Sequence, residues 1–356
     1  MVFLFPLLPL VPFSTKLDIL KEKNTKTIVI FLSKFIFHHN FRQILRRKHV
    51  NIILWKGDYY MSDSIDFYSY RGNIVFSDQV TIFNLGLENN SKTKNKIFNK
   101  FFEELKNRTK LDSKFNKRVY YLIFINQYDS IVHCQLARQR EYNKYEMTEE
   151  KVVGKKEEDY PYVNIFIELY SQKILIESNE AIFENYNTCS DVIQNIMNKH
   201  INVKDTNIRI NPILKEDEFW DFFKGDNKVS MIDFSLCVPN LFDADDDAVE
   251  FLKESNKNVG ASNVSLKFSN SKGELKPNKK GIDSFIKYIS AGGGKWKLIY
   301  KNKEGKSKRV NSKSKSIKIS IPISKDLLSN TLTIKEINII KNEMKKIETM
   351  DKFKEE

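Results

Sequence analysis

Asp243, Asp245, Asp246 and Asp247 crowd carboxylates together, and clustered carboxylates are what a hard divalent cation binds. The cluster lacks the glycine turn and closing glutamate of a calcium loop. The same residues suit the positive end of a helix starting there, which is the reading adopted. Gly292-Gly293-Gly294-Lys295 looks like part of a phosphate loop, whose glycines let backbone amides approach phosphate oxygens. However, Trp296 stands where Ser or Thr is needed, and Ile289 stands where the first glycine belongs. Gly305-Lys306-Ser307 fails in the same way at Tyr300. Both segments read as turns, the first ending a helix and the second closing a hairpin.

His133 and Cys134 are adjacent on an expected strand, so their side chains point to opposite faces and cannot act as base and nucleophile together. A metal-dependent nuclease needs paired carboxylates and a lysine around its metal. Asp283, Glu304 and Lys306 have roughly that order, but Glu304 falls in an expected turn rather than on a core strand. No G-x-S-x-G, H-E-x-x-H or G-x-G-x-x-G occurs. The expectation is therefore a protein that is not an enzyme and needs neither metal nor cofactor.

What remains is charge. Residues 257–318 carry 17 basic and 3 acidic residues, whereas residues 61–256 carry 25 and 33. Lys295, Lys297, Lys301, Lys303, Lys306, Lys308, Arg309, Lys313, Lys315 and Lys318 crowd one expected hairpin and its return strand, with Trp296 and Tyr300 interleaved. Such a ribbon neutralises backbone phosphates and releases counterions, giving sequence-tolerant affinity for duplex DNA. The near absence of arginine argues against bidentate reading of base edges. The same basic end could instead dock on the acid-rich front half of a partner subunit, as a protein-interaction component without direct DNA contact.

Cys134, Cys189 and Cys237 are odd in number and widely spaced, which suggests neither a disulfide framework nor a zinc site and fits a reducing cytoplasm. The apolar runs at 1–13 and 27–37 are shorter than the roughly 20 residues of a membrane span. No basic stretch precedes the first run, as a secretory signal would require. Lys56-Gly57-Asp58 can be encoded with a ribosome-binding sequence, and two tyrosine codons then separate it from Met61. Residues 1–60 are accordingly expected to be a translated leader, with domains at 61–242 and 243–356.

These residues must be positioned by ordinary elements. Strands are expected at 65–70, 73–76, 119–125, 130–136, 163–169, 172–177, 208–214, 229–238, 264–268, 296–300 and 316–321. Helices are expected at 94–106, 190–200, 219–223, 243–254 and 282–289, and residues 141–160 are expected to form a mobile loop. Thr333-Ile334-Lys335-Glu336 is a capping box, with Leu332 and Ile337 as its staple and a stripe of Ile334, Ile337, Ile340, Met344 and Ile347 behind it. That helix should dock on the sheet of the second domain. Short turns between strand runs, with helices packed intermittently, give an α+β fold of mainly antiparallel sheets and an amphipathic C-terminal helix.

The close of the chain, basic strands running into Ile321-Pro322-Ile323-Ser324-Lys325-Asp326-Leu327-Leu328-Ser329-Asn330-Thr331 and an amphipathic terminal helix, resembles the RexA-like phage-exclusion family. The order of strand, helix and strand at 164–169, 190–200 and 208–214 is similar as well. The resemblance implies a homodimeric, DNA-binding, non-enzymatic defence protein that acts with a partner effector, often a membrane protein. It carries over no catalytic residue.

Overall fold

Ile65-Asp66-Phe67-Tyr68-Ser69-Tyr70 alternates in hydrophobicity, as a strand with one buried face requires. A computed structural model describes residues 17–22, 25–30, 64–76 and 91–349, with gaps at 181, 184, 204–205, 239–246 and 324–330. Residues 1–62 and 63–356 are two separate compact units. In the first, β1 (Leu17–Glu22) and β2 (Thr25–Ile30) form an antiparallel hairpin. Everything below concerns the second.

Its first sheet is built on β3 (Ile65–Phe76), one strand where two had been expected. Arg71-Gly72 makes no turn, because Gly72 lies flat under Phe98, whose Cε2 would sit 2.9 Å from an added Cβ. The other strands are β4 (Lys110–Phe115), β5 (Arg118–Tyr128), β6 (Ile131–Arg138), β9 (Tyr162–Glu168), β10 (Lys173–Glu177), β11 (Thr206–Pro212) and β16 (Lys318–Ile321). They run in the order β11-β3-β10-β9-β6-β5-β4, and β16 pairs with the N-terminal half of the β3 edge whose C-terminal half holds β11. All pairs are antiparallel.

Helices cover both faces of this sheet. On one face, α1 (Ser91–Arg108) contributes Ile97, Phe98, Phe101, Phe102 and Leu105, and α2 (Tyr186–His200) contributes Val192, Ile193, Ile196 and Met197. Each such side chain, fully buried, stabilises the fold by about 1.5–3 kcal/mol. Asn198 and Gln194 of α2 also satisfy the outer edge of β11, bonding Ile208 and Ile210 where a further strand would otherwise pair. Asn185 caps α2, which begins a turn before the expected Ser190.

The opposite face is covered by α6 (Ile334–Thr349), with Ile337, Ile340, Met344 and Ile347 buried against Phe67, Ile131, Phe166 and Leu175. The capping box forms, since the Thr333 amide donates to Glu336 Oε2 at 2.7 Å and the Glu336 amide to Thr333 Oγ1 at 3.4 Å. The helix docks on the first sheet rather than the second, because β16 returns the chain to β3 just before it. Ile334, at the end of the expected stripe, stays exposed.

The second sheet has the order β13-β12-β14-β15, from β12 (Lys228–Cys237), β13 (Asn263–Ser269), β14 (Gly294–Lys301) and β15 (Ser307–Asn311). One of its faces packs on α3 (Asp217–Trp220), α4 (Asp247–Val259) and α5 (Lys279–Tyr288), through Phe219, Leu252 and Ile286 among others. The division expected between 61–242 and 243–356 cuts across both sheets: β12 pairs with β13 and β14, and β16 pairs with β3. Residues 141–160 are not a loop but largely a hairpin, β7 (Arg140–Met147) and β8 (Val152–Asp159), with cross-strand pairs such as Arg140–Asp159 at 2.5 Å. The fold is α+β with antiparallel sheets. No helix among the described residues is long and apolar enough to cross a membrane.

Candidate nucleic-acid interface

Strand alternation sorts the basic block. In β14, Trp296, Leu298 and Tyr300 point toward α3, α4 and α5, while Lys295, Lys297, Ile299 and Lys301 point the other way. Trp296 is 2 % exposed and sits among Phe219 and Phe222, and Tyr300 packs on Phe222. Of the two aromatics read as interleaved with the lysines, Trp296 is therefore core and Tyr300 is half-buried against it, both on the face opposite the outward lysines.

The outward face carries the charge. Its rows are set by register: Lys267, Asp233, Lys297 and Asn311 lie side by side across the four strands, with Met231, Ile299 and Arg309 forming the next row and Lys301 and Ser307 the row beyond. Lys267, Lys301 and Arg309 are exposed and Lys297 is partly so, and no element among the described residues covers them. Among the described residues Asp233 is its one carboxylate, and none of these four cations has an ion-pair partner. Lys267 was not among the expected site residues. Its signal was its place in Val264-Ser265-Leu266-Lys267-Phe268, where the apolar positions define the inner face.

The rest of the block disperses. Lys303 pairs with Asp226 at 3.3 Å and Lys306 with Glu304 at 3.0 Å in the β14–β15 turn. Lys313 pairs with Asp191 at 2.6 Å, Lys315 with Glu218 at 2.9 Å and Lys318 with Asp66 at 2.8 Å. Asp66 is held below the usual carboxylate range by its bond from Lys318, and Lys318 is raised by the same bond. Lys308 lies opposite Tyr300, so its parity is that of the inner face. Half of the ten expected residues are thus already neutralised within the chain.

Lys295 lies where the open face meets the joint between the sheets. Burial, and Lys313 beside it, bring its pKa down to about 8, with Asp191 opposing. Arg209, exposed on β11, adds positive potential at the same joint.

The other chemical candidates find structural roles. Gly292 has φ +90° and lies so close to β3 that an added Cβ would fall 2.6 Å from Arg71 Cβ. Its carbonyl accepts from Asn73 at 2.9 Å and Asn211 at 3.2 Å. At Gly293 an added Cβ would fall 2.3 Å from the Tyr288 ring, and at Gly294 2.4 Å from the Ser235 carbonyl. The triple glycine thus lets the sheets touch. His133 stacks on Phe166 and bonds Asn164 at 3.0 Å, while Cys134 lies in the core under α1 and α2. Burial lowers the His133 pKa and raises that of Cys134.

Asp283 pairs with Lys287 at 3.4 Å on α5, while Glu304 is exposed in its turn. Among the described residues no group of three or more His, Cys, Asp or Glu converges as a metal would need. Asp247 opens α4, as expected of a helix N-terminus, whereas Asp243, Asp245 and Asp246 lie outside the described residues.

A family model described as a domain of unknown function (DUF4747) matches residues 174–339. The match takes in the whole second sheet, with α2, β11 and β16 from the first layer. No curated protein and no solved structure gives a match.

Proposed function

We propose that the open face of the second sheet binds the phosphate backbone of duplex DNA without reading sequence, in a non-enzymatic defence protein of the RexA-like phage-exclusion kind. The observation that carries this reading is the gathering of Lys267, Lys297, Lys301 and Arg309 on one face of the sheet, where Asp233 is the one carboxylate among the described residues. Cations held on a rigid sheet meet phosphates with little further loss of side-chain freedom, and each contact releases counterions. Among the described residues the face presents no aromatic side chain, so affinity rests on charge. Cys134, Cys189 and Cys237 are all free and buried, which supports a cytoplasmic location.

The test is fluorescence anisotropy of a labelled duplex across a salt series. Charge reversal of Lys267, Lys297, Lys301 and Arg309 together should abolish binding, each lost phosphate contact removing about 0.9 from the log–log salt slope. Reversal of Lys303, Lys306, Lys315 and Lys318, which already have carboxylate partners, should change it far less. Equal losses in the two variants would refute the assignment of the open face. Absence of DNA binding by the native protein would leave the face to an acidic protein partner.

A further inference from the structure

The β7–β8 hairpin stands apart from both sheets, and β7 and most of β8 are exposed. Eight residues on each strand give an arm roughly 26 Å long. A two-stranded ribbon in water is marginal by itself, and its long edges offer unpaired amides and carbonyls. Its apolar residues are also uncovered: Tyr145 is 68 % and Met147 86 % exposed.

Hydrogen-bond alternation tells which backbone groups are free. The Thr148 amide donates to the Lys151 carbonyl at 2.9 Å, so this pair closes the hairpin. Antiparallel pairs alternate between bonded and unbonded, and Met147↔Val152, Tyr145↔Gly154, Asn143↔Lys156 and Glu141↔Glu158 are the unbonded ones. The amides and carbonyls of Glu141, Asn143, Tyr145 and Met147 therefore point away from β8 along the free edge of β7.

We infer that this edge pairs with the same edge of a second copy, antiparallel about a two-fold axis at Asn143. Such an axis stands perpendicular to the ribbon and can pass through a bonded or an unbonded pair; at Asn143, whose amide and carbonyl face outward, the central pair is a bonded one, and the charges choose this register. In that register Asn143 meets its own copy, Tyr142 meets Lys144, Glu141 meets Tyr145, and Arg140 meets Glu146. No like charges face each other, and the two Arg140–Glu146 pairs extend the Arg140–Asp159 pair already present. The β8 edge lacks this self-complementarity. Centred on Lys156 it sets that lysine against itself, and centred on Gly154 it sets Glu150 against Glu158. The occupant of the β7 edge is a second copy of this chain, forming a continuous four-stranded ribbon. This interface uses none of the residues of the proposed DNA face.

Cysteine cross-linking tests the register. Bonded antiparallel partners have Cα atoms about 5.5 Å apart, within disulfide range. Mild oxidation of Asn143→Cys should give a covalent dimer, while Lys155→Cys on the other strand should not. Sedimentation supplies a second readout. Arg140→Glu and Glu146→Arg should each shift the native dimer toward monomer, and mixing the two should restore a heterodimer. Circular dichroism confirms that each variant is folded. A native monomer at all concentrations would overturn the inference, as would a dimer that Asn143→Cys fails to cross-link or that both charge variants leave intact. Capture of a different protein's strand by a monomeric native chain would also count against it.

Discussion

Ser69 and Ile317 lie 248 positions apart in sequence, and both the amide and the hydroxyl of Ser69 donate to the Ile317 carbonyl, each at 3.0 Å. The Ile317 amide in turn donates to the Ile213 carbonyl at 2.8 Å, and the Ile213 amide to the Ser69 carbonyl at 3.0 Å. Three chain segments thus close a ring where β11 leaves the first sheet for the second and β16 returns. The Ser316 hydroxyl completes it with a bond of 2.7 Å to the Ser69 carbonyl.

Ser69→Ala should therefore destabilise the protein by about 1 kcal/mol, the usual net value of one buried hydrogen bond, because the Ile317 carbonyl keeps its backbone donor. Ser316→Ala should cost a similar amount. Since both hydroxyls act on one ring, the double variant should depart from additivity. Urea unfolding of the three variants measures this. A change in midpoint too small to resolve for Ser69→Ala would show that the ring holds without the hydroxyl.

The glycines at the joint make a sharper contrast. Gly293→Ala drives a Cβ into the ring of Tyr288, whose hydroxyl donates to the Cys237 carbonyl at 2.6 Å. The ring must leave a packed site and give up that bond, costing about 2–4 kcal/mol. Gly305→Ala adds a Cβ with nothing within 4 Å and meets only the cost of φ +76°, about 1–2 kcal/mol. Thermal unfolding should rank Gly293→Ala well below Gly305→Ala. The opposite order would mean that turn geometry, rather than close approach, is what the triple glycine supplies.

Legibility in the sequence followed the range of the interaction. The capping box at Thr333 and the α1 stripe are written in residues three and four apart, so they could be read directly. The β7–β8 arm was misread because its charged residues look like a solvated loop. Its strand character lies in pairs such as Arg140 with Asp159, nineteen positions apart. β4 escaped notice because Lys110-Leu111-Asp112-Ser113-Lys114-Phe115 has few buried positions to mark. The pairing of β16 with β3 joins the two ends of the second unit, and no local pattern encodes it. The same limit explains the basic block, where spacing located the lysines but could not show that Asp66, Asp191, Asp226, Glu218 and Glu304 each pair with one of five of them.

Lys295 gives a prediction in pH. Its pKa falls from 10.5 to about 8 on folding, chiefly through burial, and that of Lys94 falls to about 8 for the same reason. Between pH 8 and 10.5 the unfolded chain therefore binds more protons than the folded one. Stability should rise with pH across that window, by at most about 1.4 kcal/mol per pH unit for each lysine, and take no pH dependence from them below it, where the cost of burying each ammonium is fully present. Lys295→Met should flatten part of the rise, and adding Lys94→Met should flatten more. DNA affinity should move oppositely, because the charge of Lys295 at the rim of the open face is lost as pH passes 8. Urea midpoints and duplex anisotropy over the same pH series separate the two effects. A stability curve unchanged by Lys295→Met would mean that its ammonium keeps its proton in the folded protein throughout.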